Sequence, residues 1–363
     1  MLSIENLVLL DERLRTIYNS NLEFRGKSII LCSDFLQMPC IGGTPICKAM
    51  YIPSNSTQVT GKYLFSKFRI FQMNQQVRAK CDIQKKLLAD FRKLPTNYPT
   101  GKKWSAQDSK EYKPISTNII NTITRELSLD DINKDNTWID TLKITNNNFD
   151  RYNLNLILAK KYADKNNSIV IKWKKKILND NIPITLLNHI YNENLYPNLF
   201  SIFVPNAPDI ILSNKVSNVI LDICNGTKCI FHSLTWLDKT IENKTSKIIQ
   251  NAVNNNIKEV IIDDPPDFIN VKILDPSTNK IKEKNTFPIN LNLNNNNDNN
   301  CIIIPIPIIK DDNYVITVDN SKERILYEQH SVDPAFTITV WKSQGNTLDK
   351  VIVDIEPTIN QRK

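Results

Sequence analysis

Lys342, Ser343, Gln344, Gly345, Asn346 and Thr347 stand together between two apolar runs, Phe336 to Trp341 and Val351 to Ile355. One cation, several hydrogen-bond donors and a glycine that lets the backbone come close suit a phosphate, whether of a nucleotide or of a nucleic-acid backbone. Asp34 and Gln37 follow a second apolar run, Ser28 to Cys32. A neutral amide such as Gln37 donates to a phosphate oxygen or accepts from an attacking water. Arg78 follows the alternating run that starts at Phe68, and Asn225, Gly226 and Thr227 lie between two β-rich runs within Ile210 to Leu234. Each of these places has an ordinary reading as well: a solvated strand connection, a polar loop, a surface ion pair, a plain turn.

Short β-branched runs bounded by polar, Gly-containing blocks predict buried strands. The block 342–347 then falls at the C-terminal edge of a strand, where open α/β sheets bind their ligands. Ser28 to Cys32 and the run before Arg78 are expected as strands that present Asp34, Gln37 and Arg78 in the same way. Residues 3–18 predict an amphipathic helix with Ile4, Leu7, Val8, Leu14 and Ile17 inward and Asp11, Glu12, Arg13 and Arg15 outward. Asp82 is expected to cap a helix whose inner face is Ile83, Leu87, Leu88 and Phe91. Thr141 to Ile144 predicts a strand, followed by an Asn cap and a helix with Phe149, Tyr152, Leu156 and Ala163 inward. Asn225-Gly226 between apolar runs is a hairpin signal, and further strands are expected near Glu259 to Ile262, Phe268 to Leu274 and Cys301 to Ile306.

The chain of 363 residues has length for two domains. Forty-six Lys and Arg against 38 Asp and Glu give a formal charge of +8, which favours a polyanionic partner without demanding one. Seven irregularly spaced cysteines with no C-x-x-C pair, and only three histidines, point to reduced thiols in a nuclear or cytoplasmic compartment and away from a structural metal. No apolar run approaches the roughly 18 residues of a membrane span, and MLSIENLVLLDERL has acids where a signal peptide needs a basic flank. Asn290 to Asn300 is low-complexity and expected as a disordered loop.

Taken in order, these segments resemble the Pif-one (petite integration frequency) family of superfamily-one DNA helicases. FTITVWKSQGNTLDKVIVDI is similar to the family's late motif through Thr339, Lys342, Ser343, Gln344, Gly345, Thr347, Leu348 and Asp349, with Trp341 in place of the usual His or Asn. SDFLQMP matches its "lcGDFxQLPPv" element at Asp34, Phe35, Gln37 and Pro39, with Ser33, Met38 and Cys40 departing from it. FRIFQMNQQVR resembles the element ending in Arg78, Asn147 and Asn155 match the opening of the second RecA-like domain, and Asn225-Gly226-Thr227 matches "NGTxg" in a small inserted β-barrel, with Cys229 where Gly is usual. The resemblance implies Gln37 as γ-phosphate sensor, Arg78 as arginine finger, Asp34 beside them, and a loop at Thr339 to Thr347, with the Asn225 turn, that touches single-stranded DNA and couples it to the ATP site. ATP and Mg2+ are the cofactors of the intact family, single-stranded DNA its partner, and DNA repair, recombination and telomere maintenance its processes.

Two elements of that family have no match. No complete G-x-x-x-x-G-K-[ST] occurs; Gly26-Lys27-Ser28 has Asn21 where the first Gly belongs and precedes an expected strand instead of opening a helix. The acidic magnesium motif would end at Met1, and the final Arg-bearing motif would follow Lys363. The expectation is therefore an α/β, P-loop RecA-like helicase core, partial at both ends: residues 1–95 from the first RecA-like domain, 96–136 a linker, 137–204 and 312–363 a second RecA-like domain, and 205–311 an inserted β-barrel-like domain. Its function is 5′ to 3′ ATP-dependent unwinding by resemblance. The alternatives are a catalytically inactive remnant that binds single strands and holds no nucleotide tightly, and an unrelated α/β structural protein.

Overall fold

The computed structural model describes residues 2–32, 34, 40, 42–73, 75, 77, 79, 81–94, 105–123, 128–138, 141–179, 182, 184–276, 278–283, 301–318, 321–344, 348 and 350–354. The chain forms two units, Met1–Lys134 and Asp135–Lys363. Asn290 to Asn300 lies outside the described residues.

The first unit carries α1 (Ile4–Ile17), α2 (Ile46–Tyr51), α3 (Ser56–Ser66), α4 (Asp82–Lys93), α5 (Ala106–Ile123) and α6 (Leu129–Lys134). Ser3 caps α1 by accepting the Asn6 N–H at 3.1 Å, and Ile4, Leu7 and Val8 are buried as expected. Asp11 turns inward instead of outward: it accepts the Phe24 N–H at 2.5 Å and pairs with Arg15 at 2.8 Å, which is what lets a carboxylate be buried there. Gly61 of α3 lies so close to α1 that a Cβ there would stand 2.4 Å from Ile4 Cγ1.

Three expectations for this unit need correcting. Ser28 to Cys32 and the described part of the run from Phe68 form no strand; the described residues of the unit contain none. The alternation is present, since Ile29 and Leu31 pack on the helices while Ile30 is 87% exposed. A strand, however, needs a neighbour to complete its ladder of hydrogen bonds. α4 begins at Asp82 after Cys81 with no side-chain cap, and Ile83 and Phe91 are exposed, while Asp90 is buried by bonds from Lys93 and from Asn118 of α5. The span 96–136, expected as a linker, contains α5 and α6; Pro114 stands inside α5, where packing against α4 outweighs the local breaking tendency.

The second unit carries β1 (Leu142–Thr145), α7 (Asn148–Lys165), β2 (Val170–Lys174), α8 (Ile184–Ile190), β3 (Phe200–Phe203), β4 (Pro208–Ile211), β5 (Lys228–Thr235), α9 (Lys239–Asn254), β6 (Glu259–Ile262), β7 (Phe268–Ile273), β8 (Ile303–Val318), β9 (Ser321–His330), β10 (Val332–Pro334), β11 (Thr337–Thr339), α10 (Val340–Ser343) and β12 (Val351–Val353). They form three sheets ordered β11-β1-β12, β3-β2-β6 and β10-β4-β5-β7-β8-β9. β1 is parallel to both its neighbours, and β2 is parallel to β6 and antiparallel to β3. Glu259 to Ile262 therefore pairs in parallel with β2 in a mixed three-stranded sheet, apart from the six-stranded sheet that holds β7 and β8.

The six-stranded sheet is antiparallel and open, with β9 and β10 at its ends among the described residues, where a closed barrel was expected. β8 accounts for this. Its Ile303 to Pro307 pair with β7 and its Ile308 to Val318 with β9, so β9 continues the sheet as a ribbon beyond β7. Trp173, Phe203, Phe231 and Val271 are buried in the main core, which joins α7 to the second and third sheets.

Candidate nucleic-acid interface

β1 and β11 align Ile144 with Ile338 and Thr145 with Thr339, and the two isoleucines are buried in a small core with Ile210. β11 ends at the buried Thr339 and the chain turns directly into α10. Lys342, Ser343 and Gln344 thus leave the C-terminal edge of a parallel sheet, the position expected from the sequence. The Ser343 hydroxyl donates to the Val340 carbonyl at 2.8 Å and closes the turn.

Lys342 reaches back across the edge. Its ammonium donates to the Leu212 carbonyl at 3.2 Å and to Asn225 Oδ1. Burial pushes its pKa below the usual lysine range, and the charge of Arg151 acts in the same direction. Asn225 belongs to a tight turn in which the Thr227 N–H donates to the Cys224 carbonyl at 3.0 Å and Gly226 takes φ +95°. Only glycine adopts that angle without strain. The Asn225 N–H donates to Asn214 Oδ1 at 2.9 Å, the Gly226 N–H to the Ile211 carbonyl at 2.9 Å, and the Thr227 hydroxyl to the Asp222 carbonyl at 3.2 Å. β4 and β5 pair as a hairpin, but through the long connection 212–227 and not through a two-residue Asn-Gly loop; the turn closes only the end of it. Cys229, which stands where the resembling family usually has Gly, is fully buried beside Asp209.

A buried polar layer fixes this edge from behind. Asn155 of α7 donates to the carbonyls of Pro334 and Thr337 at 2.7 and 3.2 Å and accepts the Thr337 N–H at 2.7 Å, clamping the joint between β10 and β11. One turn earlier, Arg151 pairs with Asp333 of β10 at 2.7 Å. The inner face of α7 is accordingly Arg151, Asn155, Ala159 and Ala163, while Phe149 is exposed. The face expected from Phe149 and Tyr152 is rotated because these polar groups find partners inside. The signal for Arg151 was the four-residue spacing that ends in two alanines.

The structure joins Lys342 to Asn225; Thr339, Ser343 and Gln344 adjoin Lys342 on its own turn, and Gly226 and Thr227 belong to the turn of Asn225. Gly345 and Thr347 lie outside the described residues. So do Gln37 and Arg78. Asp34, in the first unit, is paired with Arg92 at 2.7 Å.

Gly26 closes a 3-10 turn at φ +65°, and the residues after it run on without a helix while the Lys27 ammonium lies 5.9 Å from the centre of the Tyr18 ring. This geometry does not make a phosphate cradle, which needs a helix N-terminus behind the anion. Among the described residues no group of three His, Cys, Asp or Glu is placed to hold a metal ion, and no helix is long and apolar enough to cross a membrane.

No family model and no curated protein matches the sequence. Solved structures do. A structure of forked-duplex unwinding by two coordinating Pif1 helicases matches with a TM-score of 0.50 and 15% identity, over 99% of this chain and 61% of that one. Pif1 from Bacteroides bound to single-stranded DNA matches at 0.48 and 15%, over 97% and 62%, and the Candida albicans Pif1 helicase at 0.47 and 14%, over 98% and 64%. The chain resembles Pif1 helicases in fold along nearly its whole length, and spans less than two thirds of the structures it matches.

Proposed function

We propose that this chain is part of an ATP-dependent DNA helicase of the Pif-one family and that its second unit carries a single-strand DNA site at the C-terminal edge of the β11-β1-β12 sheet. The observation that carries the reading is the docking of the Asn225-Gly226-Thr227 turn onto Lys342. Two loops far apart in sequence, each expected to meet DNA, are joined at one sheet edge by a direct hydrogen bond. In this reading β1, α7, β11 and β12 belong to a second RecA-like domain, the six-stranded sheet is the inserted domain, and the first unit is the end of a first RecA-like domain. Gln37 and Arg78 act on the γ-phosphate of ATP in the intact enzyme, with Asp34 nearby.

Binding of a labelled oligothymidine, followed by anisotropy, tests the site. The chain should bind the single strand at low salt and lose affinity as salt rises, with Asn225→Ala and Gln344→Ala each weakening the complex. Absence of binding at low salt, or equal binding by both variants, rejects the site. The second reading, a remnant that binds single strands without hydrolysis, draws support from the arrangement of Gly26, Lys27 and Ser28, and it predicts the same binding with no nucleotide dependence.

A further inference from the structure

Trp341 occupies the middle of the DNA-facing turn and is 40% exposed. Its two neighbours are committed inward. Val340 packs against the small core of Ile144, Ile210 and Ile338, and Lys342 is held by the Leu212 carbonyl and Asn225. Successive side chains on a helical turn diverge by about 100°, so anchoring residues 340 and 342 sets the direction of the indole between them. Gln344, also exposed, follows three residues later at the end of the same turn.

We propose that Trp341 is a stacking platform for a base of single-stranded nucleic acid, with Lys342 a positioning residue that braces the turn behind it. A partly exposed indole, with an exposed carboxamide three residues on, matches a nucleobase, which has a flat face and a polar rim, and base–aromatic stacking is tolerant of sequence. The net charge of +8 brings the polyanion close. The inference rests on the single-strand site proposed above and assigns its contacts differently from a phosphate-gripping lysine: Lys342 keeps its bonds to Leu212 and Asn225, and the indole takes the base.

The test is a titration of the full chain with oligothymidine at several salt concentrations, read by tryptophan fluorescence and by anisotropy, with thermal melts to verify folding. Trp341→Phe keeps a smaller ring and should retain most of the affinity while losing the quench, because Trp104, Trp138, Trp173 and Trp236 are unchanged. Trp341→Ala should bind roughly tenfold or more weakly with an unchanged salt slope. Lys342→Gln should weaken binding, again without a change in slope. Two results overturn the proposal while leaving the site intact: full affinity in Trp341→Ala, or a salt slope reduced by about 0.7 in Lys342→Gln, the change expected when one phosphate is no longer neutralised. No binding by the unaltered chain overturns the site and the platform together.

Discussion

His330 shows how a single side chain in the second unit makes stability depend on acid. It is buried, its ring edge-on to Trp173 with centroids 6.0 Å apart. Burial lowers its pKa from 6.5 to about 4, although the backbone at Asp267 and Pro266 pulls the other way. The folded protein therefore binds fewer protons at this site than the unfolded chain. The site's share of stability is fully present above pH 6.5 and falls progressively toward pH 4, by about 3 kcal/mol in all. Urea midpoints measured across that window should fall, and His330→Phe should flatten this part of the profile. Glu5 acts at lower pH. Burial raises its pKa, but the Thr44 N–H and Gln58 outweigh that and hold it at about 2, so its contribution disappears as pH falls from 4.5 toward that value. Arg151 and Asp333 are coupled in another way. Asp333→Ala leaves a buried guanidinium without its partner and should cost roughly 3–5 kcal/mol in denaturant unfolding, whereas Arg151→Met with Asp333→Leu should recover much of the loss.

At the scale of elements, two glycines carry opposite burdens. Gly226 has nothing within 4 Å of where a Cβ would stand, so Gly226→Ala strains only the backbone at φ +95°. A loss of about 1–2 kcal/mol with weaker oligothymidine binding is expected, because the turn that holds Lys342 shifts. Gly61→Ala meets Ile4 directly and should loosen α1 from α3, faster hydrogen exchange appearing in those two helices. The sequence made the elements around the site legible where local pattern and tertiary demand agree: α1, β1, α7 with its Asn147 cap, β11 and β12 all fall near their expected positions. It misled where pairing decides. Ser28 to Cys32 alternates like a strand yet has no strand neighbour among the described residues, Glu259 to Ile262 joins β2, and the inner face of α7 follows Asp333, 182 residues away from Arg151. The docking of Asn225 on Lys342 was equally invisible, since the spacing of a motif says nothing about which distant loop will reach it.

For the whole molecule, phosphoryl transfer needs a phosphate cradle, a cation and a metal-holding carboxylate together, and Gly26, Lys27 and Ser28 do not form such a cradle. The purified chain should show no DNA-stimulated phosphate release above a Gln37→Ala, Arg78→Ala control. Release that Lys27→Ala abolishes would assign the cradle to Gly26, Lys27 and Ser28 after all. The exposed side chains of the first unit have a separate consequence. Ile30, Ile70, Phe71 and Met73 are each more than three-quarters exposed. Apolar groups presented in this way are what cellular chaperones hold and quality-control proteases survey. A polar residue at Ile30 is expected to raise the steady-state level of the protein in cells, measured against the unaltered chain.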